Sequence, residues 1–246
     1  MANSISKVIY FDESSALDFL DLLNEGHVKT TLEEISNIED TAETSMKSEL
    51  SIGAKILNFF KANTSVNAGL GTKTLSNTIL NSTISNTILT DFLKQKTSKP
   101  ILEFKDICVY PYENSISYLK CFTPYLMVLK NDIINGLNIN SFNSVLEDAK
   151  GYYELLFDKE DTTSILRFNI KSFRNNYCLS DLMKMKLTYY AIEVGECDLS
   201  KLEINNELSF NTTKKTISST EILEQKEVSE QKVKIYDVIL AGVNNE

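Results

Sequence analysis

Arginine is nearly missing from this sequence: in 246 residues only Arg167 and Arg174 occur, and the net charge is −9. That removes the bidentate guanidinium contacts on which phosphate and guanine recognition lean, and with them the basic stripe of a nucleic-acid surface. No nucleic acid is expected as a partner. Histidine is reduced to His27, which follows a Gly turn and reads as a loop residue rather than a general base. The four cysteines, Cys108, Cys121, Cys178 and Cys197, form no CxxC and no Cys/His pair. Neither zinc nor a disulfide framework is expected from them, and reduced, mostly buried thiols are. No apolar run approaches the roughly 20 residues of a membrane helix. The opening MANSISKVIYFDE turns acidic where a signal peptide would turn apolar. A cytoplasmic location is therefore expected. Walker, GxGxxG, GxSxG, HExxH and kinase patterns are all missing, and Gly69-Leu70-Gly71-Thr72-Lys73 lacks the glycine spacing and GK[ST] order of a phosphate loop. No catalytic residue, metal or cofactor is assigned, and the balance is against an enzyme.

Hydrophobic content of 42% and charged content of 24% are those of a globular chain. The pattern predicts one α+β unit with a mixed or antiparallel sheet and several helices. Lys7–Phe11 reads as a buried strand, stopped by Asp12-Glu13. Asp12 or Ser14 can cap a following helix with Leu17, Leu20 and Leu23 in its stripe and Gly26 as its stop. A helix cap explains Asp12 without metal chemistry, and Asp18 and Asp21 read as a solvated face. Ile107–Tyr110 is a candidate strand closed by Pro111, and Ser115–Leu129 is apolar but broken by Pro124. Residues 142–150 look helical, with Ser141 as cap. The clearest hairpin is 152–170, turning at Lys159-Glu160-Asp161-Thr162, with alternating Tyr153, Leu155, Phe157 and Leu166, Phe168, Ile170. Ser180–Met185 suggests a short helix and Leu187–Val194 a strand. The run 233–243 (VKIYDVILAGV) reads as a strand buried on both faces. Polar stretches at 36–49 and 200–232 read as a connector and a candidate mobile segment, the latter with a possible exposed helix at 220–230.

One segment resists explanation by core-building alone. Thr74–Ser82 (TLSNTILNS) is followed directly by Thr83–Asp91 (TISNTILTD), with six of nine positions identical. In a helix, nine residues at about 100° each return half a turn out of phase. The Ile79/Leu80 and Ile88/Leu89 pairs therefore face opposite ways, and these four are the candidate partner-binding residues. As strands the copies fail, because their apolar residues sit side by side. Upstream, Thr64, Val66, Ala68, Leu70 and Thr72 alternate with small residues, and 52–61 is a compact apolar patch with Lys55 and Lys61. Residues 52–93 thus carry a weak membrane-active reading, limited because the alternation is short and two lysines attract little anionic lipid. In Ser172–Asp181, Arg174 stands beside Asn175 and Asn176. Arg174 and Asn175 are the candidate anion-binding residues, set against an ordinary hydrogen-bonded connection after the hairpin.

Several blocks carry a resemblance. They are KVIYFDE at Lys7–Glu13, NEGHVKTT at Asn24–Thr31, SNTILTDFL at Ser85–Leu93, KGYYELL at Lys150–Leu156, LRFNIKSFRNNYCLSDL at Leu166–Leu182 and YDVILAGV at Tyr236–Val243. Through them the chain resembles an uncharacterised family of bacterial proteins, mostly Gram-positive. That resemblance implies a cytosolic protein folding as one unit and transfers no functional residue. The expected function is a non-enzymatic interaction or regulatory module working through a protein partner or self-association, with a homo-oligomer among the possibilities. One alternative is an enzyme whose carboxylate and arginine site assembles only in the fold. Another is a conditional membrane-active effector in bacterial defence or competition, exposing 52–93 on activation.

Overall fold

The computed structural model describes residues 5–23, 73–126, 144–146, 148, 150–208 and 232–244. They belong to two compact units, one made of Met1–Tyr10 with Pro100–Glu246 and one of Phe11–Lys99. The polar connector at 36–49, the patch at 52–61, the alternating run at 64–72, Gly26, His27, Ser141 and the 220–230 helix all lie outside the described residues.

The first unit holds the sheet. Its strands are β1 (Ile5–Phe11, whose last residue opens the second unit), β2 (Leu102–Ile107), β3 (Tyr152–Lys159), β4 (Thr162–Asn169), β5 (Leu187–Asp198) and β6 (Lys232–Asn244). The order is β2-β5-β6-β4-β3, with β1 also paired to β6. Pairing is antiparallel for β2–β5, β5–β6 and β3–β4, and parallel for β4–β6. This is the mixed, mostly antiparallel α+β architecture the pattern predicts.

The hairpin forms as expected. Its register runs from Tyr152↔Asn169 to Lys159↔Thr162, leaving Glu160 and Asp161 as a two-residue turn at φ 49° and 63°. Positive φ at both central residues is the twist that matches flanking strands. Alternation then sorts the arms. Tyr153, Leu155, Phe157, Leu166 and Phe168 enter the main core with Tyr10, Phe104, Tyr189, Tyr236 and Val238, while Leu156 and Ile165 face Leu202 and Val233 on the other side. The C-terminal strand is interior as predicted. It is bonded on one side to β5 and on the other to β4, and residues 238–242 are all buried, so both faces are covered there. A Cβ built on Gly242 would lie 2.5 Å from the Lys7 carbonyl oxygen, so β1 approaches β6 as only glycine permits.

Helices close the sheet's sides: α3 (Ile116–Leu126) and α4 (Leu179–Leu182) place Cys121, Leu179 and Leu182 in the main core. The free edge of β3 is sealed. Tyr110 and Leu156 exchange backbone bonds of 2.9 and 2.6 Å, and the Glu154 N–H donates to Ser117 Oγ at 3.0 Å. In the second unit, α1 (Glu13–Leu23) packs on α2 (Lys73–Gln95). Asp12 caps α1, its carbonyl accepting the Ala16 N–H at 2.9 Å and its carboxylate the Ser15 N–H at 3.4 Å.

Several expectations are corrected. The strand placed at 107–110 is instead Leu102–Ile107. As an edge strand it buries Phe104 alone, and its outward Glu103, Lys105 and Asp106 hide it from a hydrophobic scan. Pro124 does not break α3. Proline supplies no N–H to the Lys120 carbonyl, but Thr123 Oγ1 donates to that oxygen at 2.8 Å, so the helix continues. The buried stripe of α1 is Ala16, Phe19 and Leu20 rather than Leu17, Leu20 and Leu23, because i, i+3, i+4 spacing makes the tighter face. The 180–185 helix is Leu179–Leu182, and β5 runs on to Asp198. The start of the supposed mobile segment is structured, with a 3₁₀ turn at Leu199–Leu202 and α5 at Ile204–Glu207.

Candidate functional site

In a chain with so few arginines, charges concentrate where cross-strand register puts them. Glu154 stands opposite Arg167 across β3 and β4, and Arg167 opposite Asp237 across β4 and β6. Directly opposed residues share a face, so three distant positions become neighbours. The Arg167 guanidinium grips Asp237 with both arms, Nε to Oδ1 at 2.6 Å and Nη2 to Oδ2 at 2.8 Å. Its carbon lies 5.3 Å from the centre of the Tyr152 ring. The hydrogen bond to Asp237 raises the Arg167 pKa above its ordinary value, with partial burial working against it and the carboxylates of Asp237 and Glu154 adding to it. Beside this pair Lys150 Nζ bridges Glu154 Oε2, at 2.7 Å, and Glu207. Ser117 Oγ donates to the same Glu154 oxygen at 3.2 Å. Glu207 Oε2 is the one oxygen of this set that is buried without a hydrogen-bond partner.

Chemically this network pairs each of its cations with carboxylates. Arg167 is matched to a carboxylate in the bidentate geometry that gives the strongest charge-assisted bonds, and Lys150 is shared between the next two acids, so the five groups carry one negative charge in excess. The arrangement fixes the relative positions of β3, β4, β6 and α5. Among the described residues, no three His, Cys, Asp or Glu side chains are arranged to hold a metal.

Arg174 and Asn175 occupy a different place. The Arg174 N–H donates to the Ile9 carbonyl at 2.9 Å, and its own carbonyl accepts the Tyr177 N–H at 3.1 Å. Asn175 and Asn176 both take positive φ, 55° and 61°, and Asn175 Nδ2 reaches the Val8 carbonyl at 3.4 Å. The asparagines build a turn that ties the end of the hairpin to β1, a local task asparagine suits because it tolerates the left-handed region. The carboxylates of Asp237 and Glu154 gather around Arg167.

The tandem repeat is helical, as its pattern predicts, and its helix runs on to Gln95. Within the second unit Ile88 and Phe92 are fully buried, and the Phe92 ring lies 6.0 Å from Phe19 and 6.1 Å from Phe11. Leu89 is half-buried, and Ser85 Oγ donates to Glu13 at 2.5 Å. Positions 79 and 80 lie in the same helix, their side chains outside the described residues. The thiols depart from expectation. Only Cys121 is buried, Cys197 is half-buried, and Cys108 and Cys178 are exposed. Cys178 stands before the first turn of α4 and donates from Sγ to Asp181 at 3.1 Å, so a polar partner holds it at the surface. Burial pushes the Cys121 thiol up to about 12, with the Cys178 thiol adding to the shift.

Part of this was legible in advance. The turn at Glu160-Asp161 sets Glu154 opposite Arg167 by counting alone. Asp237 was not, since nothing local says that residues 234–237 lie beside 164–167.

Fold and site define an α+β protein whose charged residues tie a mixed sheet together from within. Residues 5–244 match the family model described as "Domain of unknown function (DUF6414)". The chain belongs to that uncharacterised family, as its sequence blocks imply. No curated protein and no solved structure matches it.

Proposed function

We propose that this chain is a non-enzymatic interaction module of bacterial cytoplasm whose repeat helix α2 engages a protein partner. The observation that carries the reading is the burial of Ile88 from the second copy, Thr83–Asp91, in the second unit beside Phe92, which follows that copy. At about 100° per residue nine positions amount to half a turn out of phase, and on this reading Ile79 and Leu80 of the first copy are left for the partner. From Thr74 to Thr90 the helix carries no charged side chain, which suits a dry contact with an apolar groove in the partner. The competing enzyme reading has its carboxylates assembled around Arg167, but that guanidinium already holds Asp237 with both arms. The membrane reading gains nothing from the described helices, none of which is long and apolar enough to cross a bilayer.

Two double variants test the proposal. Ile88→Ala/Leu89→Ala is expected to lower the melting temperature sharply, each large buried side chain being worth ~2–5 kcal/mol. Ile79→Ala/Leu80→Ala should melt like the parent yet lose the proteins that the parent retains from a lysate of its host. Equal, large destabilisation by both pairs, with the same retained proteins, would show an ordinary buried helix and end this reading.

A further inference from the structure

The strand β2 ends the sheet path, and on the side away from β5 it has no strand neighbour among the described residues. Such an edge is a row of unpaired N–H and C=O groups, and natural sheets usually blunt it with a charge or a bulge. A bulge is present here, but only at the far end. The register shifts between Phe104 and Ile107, where Asp106 takes φ 53°, leaving Leu102–Phe104 in regular register with Lys105 next along the strand. Leu102 is 40% exposed. Glu103 and Lys105 are both exposed and lie on one face, Lys105 Nζ being 3.3 Å from Glu103 Oε2.

That charge order decides the occupant. A purely protective edge repels its own copy. Here, opposite charges at i and i+2 around Phe104 become attractive under a twofold axis. In the antiparallel register centred on Phe104, each Glu103 faces Lys105 of the other copy, and the four charges alternate in sign. Two opposite-charge pairs directly across an antiparallel ladder are favourable, and an isologous contact closes without leaving a further edge. We infer that two copies of this chain pair antiparallel through their β2 edges, continuing one sheet across the dimer. A ladder this short buries less than the roughly 1,200 Å² of a standard stable interface, so association is reversible and depends on concentration. The contact lies in the first unit and is independent of the repeat helix.

Charge reversal tests it by sedimentation over a wide concentration range at low salt. The parent chain is expected to self-associate, and added salt to weaken it. Lys105→Glu leaves two acids on the edge and Glu103→Lys two lysines, so each alone should self-associate about tenfold or more weakly. Mixed together they should associate again, because the acidic edge then faces the basic one. The variant Ile79→Ala/Leu80→Ala should self-associate like the parent. A parent that stays monomeric throughout, single variants that associate as the parent does, or a mixture no better than its components would each overturn the inference. Glu103 also accepts the Tyr190 hydroxyl. If Glu103→Lys fails to fold, Lys105→Glu decides alone, and unchanged association by that exposed variant overturns the inference equally.

Discussion

At the scale of single residues, the Arg167–Asp237 pair shows how a sparse side chain is used. Both partners are partly exposed, with side-chain exposures of 34% and 23%, so the pair is neither a surface ornament nor a fully desolvated bridge. Removing Arg167 leaves Asp237 and Glu154 as like charges on one face, whereas removing both members of the pair relieves part of that. A double-mutant cycle with Arg167→Ala and Asp237→Ala, read by denaturant unfolding, should give a coupling of about 1 kcal/mol. Additive effects would mean that the bidentate geometry contributes nothing net. The Glu160-Asp161 turn points the other way. Two side chains held at positive φ are strained where Asn-Gly would not be. Replacing Glu160 with Asn and Asp161 with Gly should stabilise the fold by about 0.5–1 kcal/mol, and a loss of stability would show that these side chains make contacts worth more than the strain.

At the scale of elements, α3 depends on one hydroxyl. Thr123 is buried, and its Oγ1 donates to the Lys120 carbonyl, to which Pro124 has no N–H to offer. Thr123→Val keeps the shape and removes the donor, so it should cost about 1–2 kcal/mol, while Thr123→Ser should cost less. Equal melting of parent and valine variant would mean that Lys120 finds another donor. The β1–β6 contact has a comparable single point. Ala at Gly242 would put a methyl group against the backbone of Lys7 and the side chain of Ile5. Overpacking of this kind costs about 1–3 kcal/mol, and it should loosen the N-terminal strand first, visible as faster amide exchange at 5–10. Hairpin register is a local quantity and was readable in advance. The edge strand β2 was not, because its burial is confined to one side chain.

At the scale of the molecule, alkali destabilises the fold through weak acids held wholly or partly out of water. Tyr110 is pushed up from 10.0 to about 12, first by burial and then by its hydrogen bond to Asp158, and burial takes Cys121 from 9.0 to about 12. Burial also raises Tyr189, Tyr190 and Tyr236. A group whose folded pKa lies above its unfolded one contributes stability that is complete below the unfolded value and is lost as pH climbs through the folded one. The melting temperature should therefore hold through neutral pH and fall between about 9 and 12, with tyrosinate absorbance rising alongside unfolding. Tyrosines that ionise near their ordinary value in a still-folded protein would contradict this burial. Deleting residue 233 onward removes the strand that joins β5 to β4, and the product should be insoluble or lack a cooperative melt. A well-folded truncation would mean that the sheet closes without β6.

Sequence alone determined what periodicity and steric limits can encode over a short span. The hairpin and its two-residue turn follow from alternation around polar residues. The repeat must be a helix because paired apolar neighbours cannot alternate across a sheet, and the near-continuous apolar run at 233–243 reads as an interior strand. Tertiary structure decided the pairings between residues far apart in the chain, since loop closure leaves many partners equally accessible to a local pattern. It brought Asp237 to Arg167 through a parallel pairing across seventy positions, and it tied the Arg174 backbone to β1. It buried Ile88 of the repeat in a core, and it left Glu103 and Lys105 at an edge that no other described strand covers, where their order acquires a meaning that one strand read by itself does not have.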